Sequence, residues 1–483
     1  MEILPVIIQY QIINEIWRNS KNYPYGWRLS LSLVSKNFLK MIIRVNTTLY
    51  IKPQSNLSNL YLIKEKESDF SLITEVNTLK CIIDDHSYQV ILLNWNRLIS
   101  SLVSLDILSI NVLRPVDNTD FFNFIKSCKY LKSLKLCNSV GTSLVIHPDE
   151  YDFLYSSLKD TELEVFSLQA SKSYPVSFNI TNLYRFINSK CKTLQSLKFS
   201  VDSLNSHYQE KIFETPQKFQ NLSKLCVGSI SFIDVEFAEM FLDNIFELPW
   251  LRSLNIFDIT NIILVDSMTI DHTKPFRDVF MSCFSRSLNS GKLAYLYSLA
   301  IPYNWNLEES TKISDILNSK NLLRKLKISV IALPPLKNIR HLKSHSTSDF
   351  QNLSENLQTL KLPKCFSPTL DHNLINFLTQ TKTLTKFSFT ILYSEVYISI
   401  IEILLENQSI QHLEFLLYYN GSLTYEMLVP FLRNLISEKC KMPLLTFTAP
   451  LKCTDLSLFE FVRPKFNYKT CNLYQKKFII FYR

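Results

Sequence analysis

The stretch Leu131-Lys132-Ser133-Leu134-Lys135-Leu136 decides the fold, because its leucines at relative positions 1, 4 and 6 return along most of the 483-residue chain. The same spacing occurs at Leu102/Leu105/Ile107, Leu194/Leu197/Phe199, Leu251/Leu254/Ile256, Leu323/Leu326/Ile328 and Leu357/Leu360/Leu362. Looser copies run from Val76/Leu79/Cys81 to Ile410/Leu413/Phe415. The mean spacing is about 30 residues. Successive side chains of a strand point to opposite faces, so positions 4 and 6 turn inward and positions 3 and 5 outward. Each copy is followed by a polar turn and then by apolar residues at helical spacing, as at Val235 to Leu248 and Phe276 to Leu288. Strand and helix therefore alternate, which makes successive strands parallel. The clearest internal copy sets FIKSCKYLKSLKL at Phe124 beside FINSKCKTLQSLKF at Phe186.

This pattern resembles the leucine-rich-repeat family. Asn304 and Cys365 stand at the ninth position of their copies, where that family places an Asn or Cys in the turn leaving the strand. The resemblance implies a right-handed α/β solenoid, a horseshoe with a parallel sheet on its concave side and helices outside, each unit covering its neighbour's apolar face. The intervals 251–296 and 323–357 are long for the period and read as loop insertions. The second holds Pro334-Pro335 and the polar run HLKSHSTSDFQN, expected at the surface. The organisation expected is a helical module over 1–48, repeats over 49–443 and a C-terminal cap over 444–483, with a last strand near Leu444/Phe447/Ala449.

Composition narrows the function. The chain is 46% hydrophobic and carries a net charge of +9. Its five glycines stand far apart, at Gly26, Gly141, Gly228, Gly291 and Gly421. Phosphate-cradling loops and nucleophile elbows need glycines clustered within a few positions, so that chemistry is excluded. Ten cysteines without a CxxC pair point to reduced thiols in the cytoplasm or nucleus. Neither a signal sequence nor an apolar run of roughly 18 residues is expected. His341 and His345 stand four apart but lack the Glu of a metal-binding helix, and read as loop histidines. No catalytic residue, metal or cofactor is expected; the chain reads as a non-enzyme.

The first 45 residues lie outside the repeat. Pro5 suits a first helical turn, Ile8, Ile12 and Ile16 form one stripe, and Asn19 to Gly26 breaks the helix. A second helix from Trp27 to Ile43 would place Leu31, Val34, Phe38 and Met41 on one face. This arrangement resembles an F-box: Leu4-Pro5 at the start, Ile12, Ile13 and Ile16 in the first helix, then WRLSLSLVSKNFLKMI. Leu33, Val34, Ser35, Lys36 and Phe38 occupy the place of that family's apolar-Val-Cys-Lys-x-aromatic run, with Ser35 replacing the Cys and Phe38 the usual Trp. The resemblance implies the substrate-receptor subunit of a cullin-type (SCF) ubiquitin ligase. Its adaptor, and through it the cullin, would be held by Leu4, Pro5, Ile8, Ile12, Leu31, Val34 and Phe38. The alternative is a stand-alone repeat scaffold whose N-terminal helices only cap the array.

The outward columns suggest what the repeats hold. Position 3 includes Lys224, Lys325 and Lys386, and position 5 includes Lys135, Lys198, Lys327 and Lys361, with acids at Asp106 and Glu414. A hydroxyl-rich, basic concave face suits an acidic or phosphorylated protein segment. Membrane and nucleic acid are not expected as partners; the basic, aromatic tail RPKFNYKTCNLYQKKFIIFYR reads as part of the cap.

Overall fold

The computed structural model describes residues 5–18, 28, 30–45, 47–51, 76–84, 102–111, 119–137, 148–169, 180–200, 211–228, 231–232, 235–257, 261–262, 274–305, 307–318, 322–330, 336–344, 353, 355–362, 372–391, 407, 409–417, 444–450, 467–473 and 476–482. Two compact units divide the chain: Met1–Leu248 with Ile263–Val265, and Pro249–Ile262 with Asp266–Arg483.

The first unit begins with helix α1 (Val6–Arg18), a 3-10 turn at Leu31–Leu33 and helix α2 (Lys36–Val45). Seven parallel strands follow among the described residues: β1 (Thr48–Ile51), β2 (Thr78–Asp84), β3 (Ser104–Asn111), β4 (Ser133–Cys137), β5 (Val165–Gln169), β6 (Ser196–Ser200) and β7 (Lys224–Gly228). Register keeps position 4 in one row, Leu49, Leu79, Leu105, Leu134, Phe166, Leu197 and Leu225. All seven are buried. Helices α3 (Thr119–Ser127), α4 (Pro148–Ser157) and α5 (Ile180–Ser189) precede β4, β5 and β6, and α6 (Val235–Phe246) follows β7. Their apolar stripes bury Phe124, Leu154, Leu183, Ile187 and Phe241. Each copy enters its strand alike: the amides of positions 2 and 3 both donate to the position-2 carbonyl of the preceding copy. Lys132 and Ser133 do so to Val103 O at 2.8 and 3.0 Å, and Gln195 and Ser196 to Glu164 O at 2.7 and 3.0 Å. Those amides are thereby satisfied without a hairpin, so the ladder extends by repetition.

The single helix expected from Trp27 to Ile43 is interrupted. The Ser35 hydroxyl accepts the Phe38 amide at 3.2 Å and the Ser35 carbonyl accepts the Leu39 amide at 3.0 Å. Ser35 is thus an N-cap that starts α2 afresh. Ile13, Met41 and Ile42 form the core of this pair, with Tyr10, Trp17, Leu31, Phe38 and Val45 packed around them.

In the second unit the parallel strands are β8 (Ser253–Phe257), β9 (Ser298–Trp305), β10 (Lys325–Val330), β11 (His341–Ser344), β12 (Thr359–Leu362), β13 (Lys386–Ile391), β14 (His412–Leu417) and β15 (Leu444–Pro450). The last strand expected near Leu444 is therefore present. Helices α7 (Lys274–Asn289), α8 (Leu307–Asn318) and α9 (His372–Gln380) precede β9, β10 and β13. Two strands, β16 (Asn467–Leu473) and β17 (Lys476–Tyr482), form an antiparallel pair, and β17 also runs antiparallel to β15. Together these ladders are an α/β leucine-rich-repeat fold.

One expectation for this unit is overturned. The second long interval is not a loop insertion, because His341–Ser344 is a strand between β10 and β12. Arg340 and His341 both donate to Arg324 O at 2.9 Å, the same entry bonding as in the other copies. Ile339 and Leu342 fill positions 1 and 4, while the inward position 6 is Ser344, fully buried. His341 is thus a strand residue; His345 lies outside the described residues.

Candidate binding surfaces

The helical pair at the N-terminus is too small to bury its apolar residues. Val6, Ile7, Ile8 and Ile12 of α1 are exposed, and Leu33 and Val34 beside the 3-10 turn are 87% and 65% exposed. Three of the expected contact residues, Ile8, Ile12 and Val34, belong to this surface, and Pro5 is exposed beside it. Leu31 and Phe38 instead pack against the Ile13/Met41/Ile42 core, and Leu4 lies outside the described residues. Val6, Ile7 and Leu33 were not among the expected contacts; the signal for Val6 and Ile7 was the run VII, longer than one buried stripe needs. Arg28 holds the end of α1, its guanidinium donating to Trp17 O at 3.0 Å and lying 5.0 Å from the Trp17 ring centroid. A cation at a helix C-terminus meets unsatisfied carbonyls there.

On the outward face of the first unit, Lys135 is exposed beside Asp106 of the neighbouring strand, Nζ to Oδ2 3.5 Å. Lys132 pairs with Glu164 at 2.8 Å. Lys198 is half-buried and Lys224 exposed. Lys132 and Lys135 are thus matched by an acid on a neighbouring copy, the arrangement that cross-strand pairing favours.

The second unit differs. Its outward position-3 column reads Ser298, Lys325, His341, Thr359, Lys386 and His412 across β9 to β14, and its position-5 column reads Ala300, Lys327, Lys343, Lys361, Ser388 and Glu414. Lys327, Lys343 and Lys361 are thus direct neighbours on three adjacent strands. Lys327 and Lys361 were expected here, but on touching repeats; the intervening strand separates them and contributes Lys343. Lys386 lies 3.5 Å from Glu414 Oε2, so it is partly neutralised at the edge of the patch. Lys325 Nζ sits 5.3 Å from the Tyr297 ring centroid.

Burial and the neighbouring Lys327 and Lys361 lower the pKa of Lys343. His341, whose Nδ1 lies 3.1 Å from Thr359 Oγ1, is lowered by burial and by Lys325 and Arg340. His412 is also lowered, by burial and Lys386 against the opposing pull of Glu414. Among the described residues no group of three His, Cys, Asp or Glu could hold a metal ion, and no helix is long and apolar enough to cross a membrane.

No protein-family model and no curated protein matches this chain. Among solved structures it is similar to a chain in the crystal structure of the Rad7 and Elc1 complex of yeast, at 16% identity and a TM-score of 0.38, over 80% of this chain and 92% of that one. It is also similar to a chain in the crystal structure of the TLR13–ssRNA13 complex, at 16% identity and a TM-score of 0.29, over 82% of this chain and 54% of that one.

Proposed function

We propose that this chain is a non-catalytic receptor subunit of a cullin-type ubiquitin ligase, its N-terminal helices holding the ligase's adaptor and its repeats holding a protein partner. The supporting observation is that Val6, Ile7, Ile8, Ile12, Leu33 and Val34 are all exposed on one small helical pair. Large apolar side chains clustered in water mark an interaction site, and a few such anchors carry most of the affinity. The basic face of the repeats favours an acidic or phosphorylated partner.

The test is capture of adaptor and cullin from cell extract by the full chain and by an Ile7→Ser/Val34→Ser variant, both sites being exposed. The variant loses both proteins while its melting temperature stays within a degree or two of the parent. Equal recovery by the two chains defeats the reading. It then leaves the stand-alone scaffold, which the short sequence separation between Val45 at the end of α2 and Thr48 at the start of β1 favours.

A further inference from the structure

The second unit carries two neighbouring features, one on the outward face of its strands and one on the turns that enter them. The first is cationic. At β10 and β11 two closely similar runs, Arg324-Lys325-Leu326-Lys327 and Arg340-His341-Leu342-Lys343, stand in register, and Lys361 adds a further cation on β12. None of the residues at positions 2, 3 and 5 of these three strands is acidic. Two other outward lysines meet an acid on the next strand, Lys135 with Asp106 and Lys386 with Glu414. Among the described residues Lys327, Lys343 and Lys361 have no such partner. With strands roughly 4.8 Å apart, the three ammonium groups lie within about one Debye length of their neighbours, so their fields add. The ladder is bounded by Ala300 on β9 and by Ser388 and Glu414 on β13 and β14.

The second feature is apolar. The residue just before position 1 is Trp250 in the β8 copy, Tyr295 in the β9 copy and Leu322 in the β10 copy, and all three are exposed. Trp250 and Tyr295 lie ring to ring, centroids 4.7 Å apart at 30°. At the corresponding place in later copies stand Asn338, Asn356 and Thr383. The apolar edge is thus local, and it meets the cations where Lys325 approaches Tyr297.

From this juxtaposition we infer that the second unit binds an extended acidic peptide segment bearing one aromatic or aliphatic anchor, the anchor on Trp250, Tyr295 and Leu322 and the carboxylates on Arg324, Arg340 and the Lys327–Lys343–Lys361 ladder. The proposal rests on reading the repeats as a partner-holding surface, and names that partner's chemistry. The edge residues lie in the turn entering each strand, two residues before position 2 and five before position 5, a path of at most roughly 17 Å. The acids therefore fall about two to five residues from the anchor. Cations spread over three strands match singly charged carboxylates spaced along a chain. A nucleic acid would need a longer cationic track and open aromatic faces; Glu414 closes the track, and Trp250 and Tyr295 cover each other.

The experiment is selection of a displayed library of random 12-residue peptides against the full chain. Selected peptides are expected to carry an acidic cluster two to five residues from an aromatic or aliphatic side chain. The most enriched one is then measured by fluorescence anisotropy. A Lys327→Glu/Lys361→Glu variant binds it at least tenfold more weakly and with a flattened salt dependence. A Tyr295→Ser/Leu322→Ser variant weakens binding about tenfold and keeps the salt dependence. Melting curves check each variant; if charge reversal unfolds the unit, Lys327→Gln/Lys361→Gln replaces it. Failure to enrich acidic peptides, indifference of binding to either variant, or tighter binding of a 12-nucleotide single-stranded RNA overturns the proposal. Adaptor capture through Ile7 and Val34 is read independently, so failure here leaves the receptor reading standing.

Discussion

Asn244 on α6 holds the backbone of Phe213 by both of its polar groups: Oδ1 accepts the Phe213 amide at 2.9 Å and Nδ2 donates to the Phe213 carbonyl at 2.7 Å. One turn of the stack earlier, Asn188 on α5 donates to Ile212 O at 3.1 Å and accepts the Glu214 amide at 3.0 Å. Two asparagines thus fix a non-helical segment where the neighbouring copies carry a helix. Ile212, Phe213 and Phe219 are buried there, and so is Asn244.

Replacing Asn244 by Leu keeps the branched outline of the side chain and strands both Phe213 groups. Each buried backbone group left without a partner costs about 1–3 kcal/mol. The expected outcome is a large drop in the urea midpoint of the full chain, with faster amide hydrogen exchange at Phe213 than at Leu134. An unchanged midpoint would mean that water replaces the asparagine without loss.

The register of the repeat makes a sharper contrast at neighbouring positions. Leu136 is buried and Lys135, next to it, is exposed beside Asp106. Leu136→Ala removes core volume and should cost about 2–5 kcal/mol. Lys135→Ala gives up only a solvent-screened ion pair, within about 0.5 kcal/mol. Denaturant titration of both variants checks this; similar losses would refute the alternation of faces.

The spacing of Leu131, Leu134 and Leu136 made the parallel ladder legible, because that spacing reports directly which side chains are buried. The strand at His341 was hidden for the same reason: position 6 is Ser344, and a leucine search misses a copy whose inward residue is polar. Its signal lay instead in the outward residues, where RHLK repeats RKLK. The cationic ladder was half legible, since Lys327 and Lys361 stood out but their bridging neighbour did not. Trp250, Tyr295 and Leu322 each precede position 1 of their copy, outside the leucine pattern, and only the stacking of copies makes them neighbours. In the N-terminal pair, an apolar stripe was legible, but which of its members face inward depends on where Ser35 restarts the helix.

Cysteine reactivity separates buried from accessible positions. Burial, reinforced by Asp106, pushes the Cys81 thiol up to about 12, and burial alone takes Cys128 to about 12. Cys128 Sγ lies 3.2 Å from Phe124 O. At pH 8 only roughly one part in 10⁴ of either is thiolate, the reactive form. Brief alkylation of the native chain at pH 8, mapped by peptide mass, should modify the half-buried Cys191 and Cys226 well before Cys81 or Cys128. Early labelling of Cys81 would show that β2 opens.

Lys343 should be a position where the fold and its ligand disagree. Its pKa is lowered by burial first and then by Lys327 and Lys361, so the folded chain holds this proton less tightly than the unfolded chain does. Well below the folded value the group is charged in both states, and the full unfavourable difference bears on the folded one. As pH rises through the lowered folded value towards the unfolded value near 10.5, the proton leaves the folded chain first and stability is regained. Lys343→Met removes the charge and keeps the stem, so at pH 7 it should raise stability. The gain is about 0.2–1 kcal/mol, the range for cross-strand pairs, held down because solvent screens a half-buried group. It should shrink in 1 M salt and as the pH approaches 10.5, while binding of the selected acidic peptide weakens. Paired melting curves of parent and variant, at pH 7 and 10 and in low and high salt, measure this. A variant less stable than its parent at pH 7 would show that Lys343 is compensated within the chain, and the ladder would then lose its reason to attract a carboxylate.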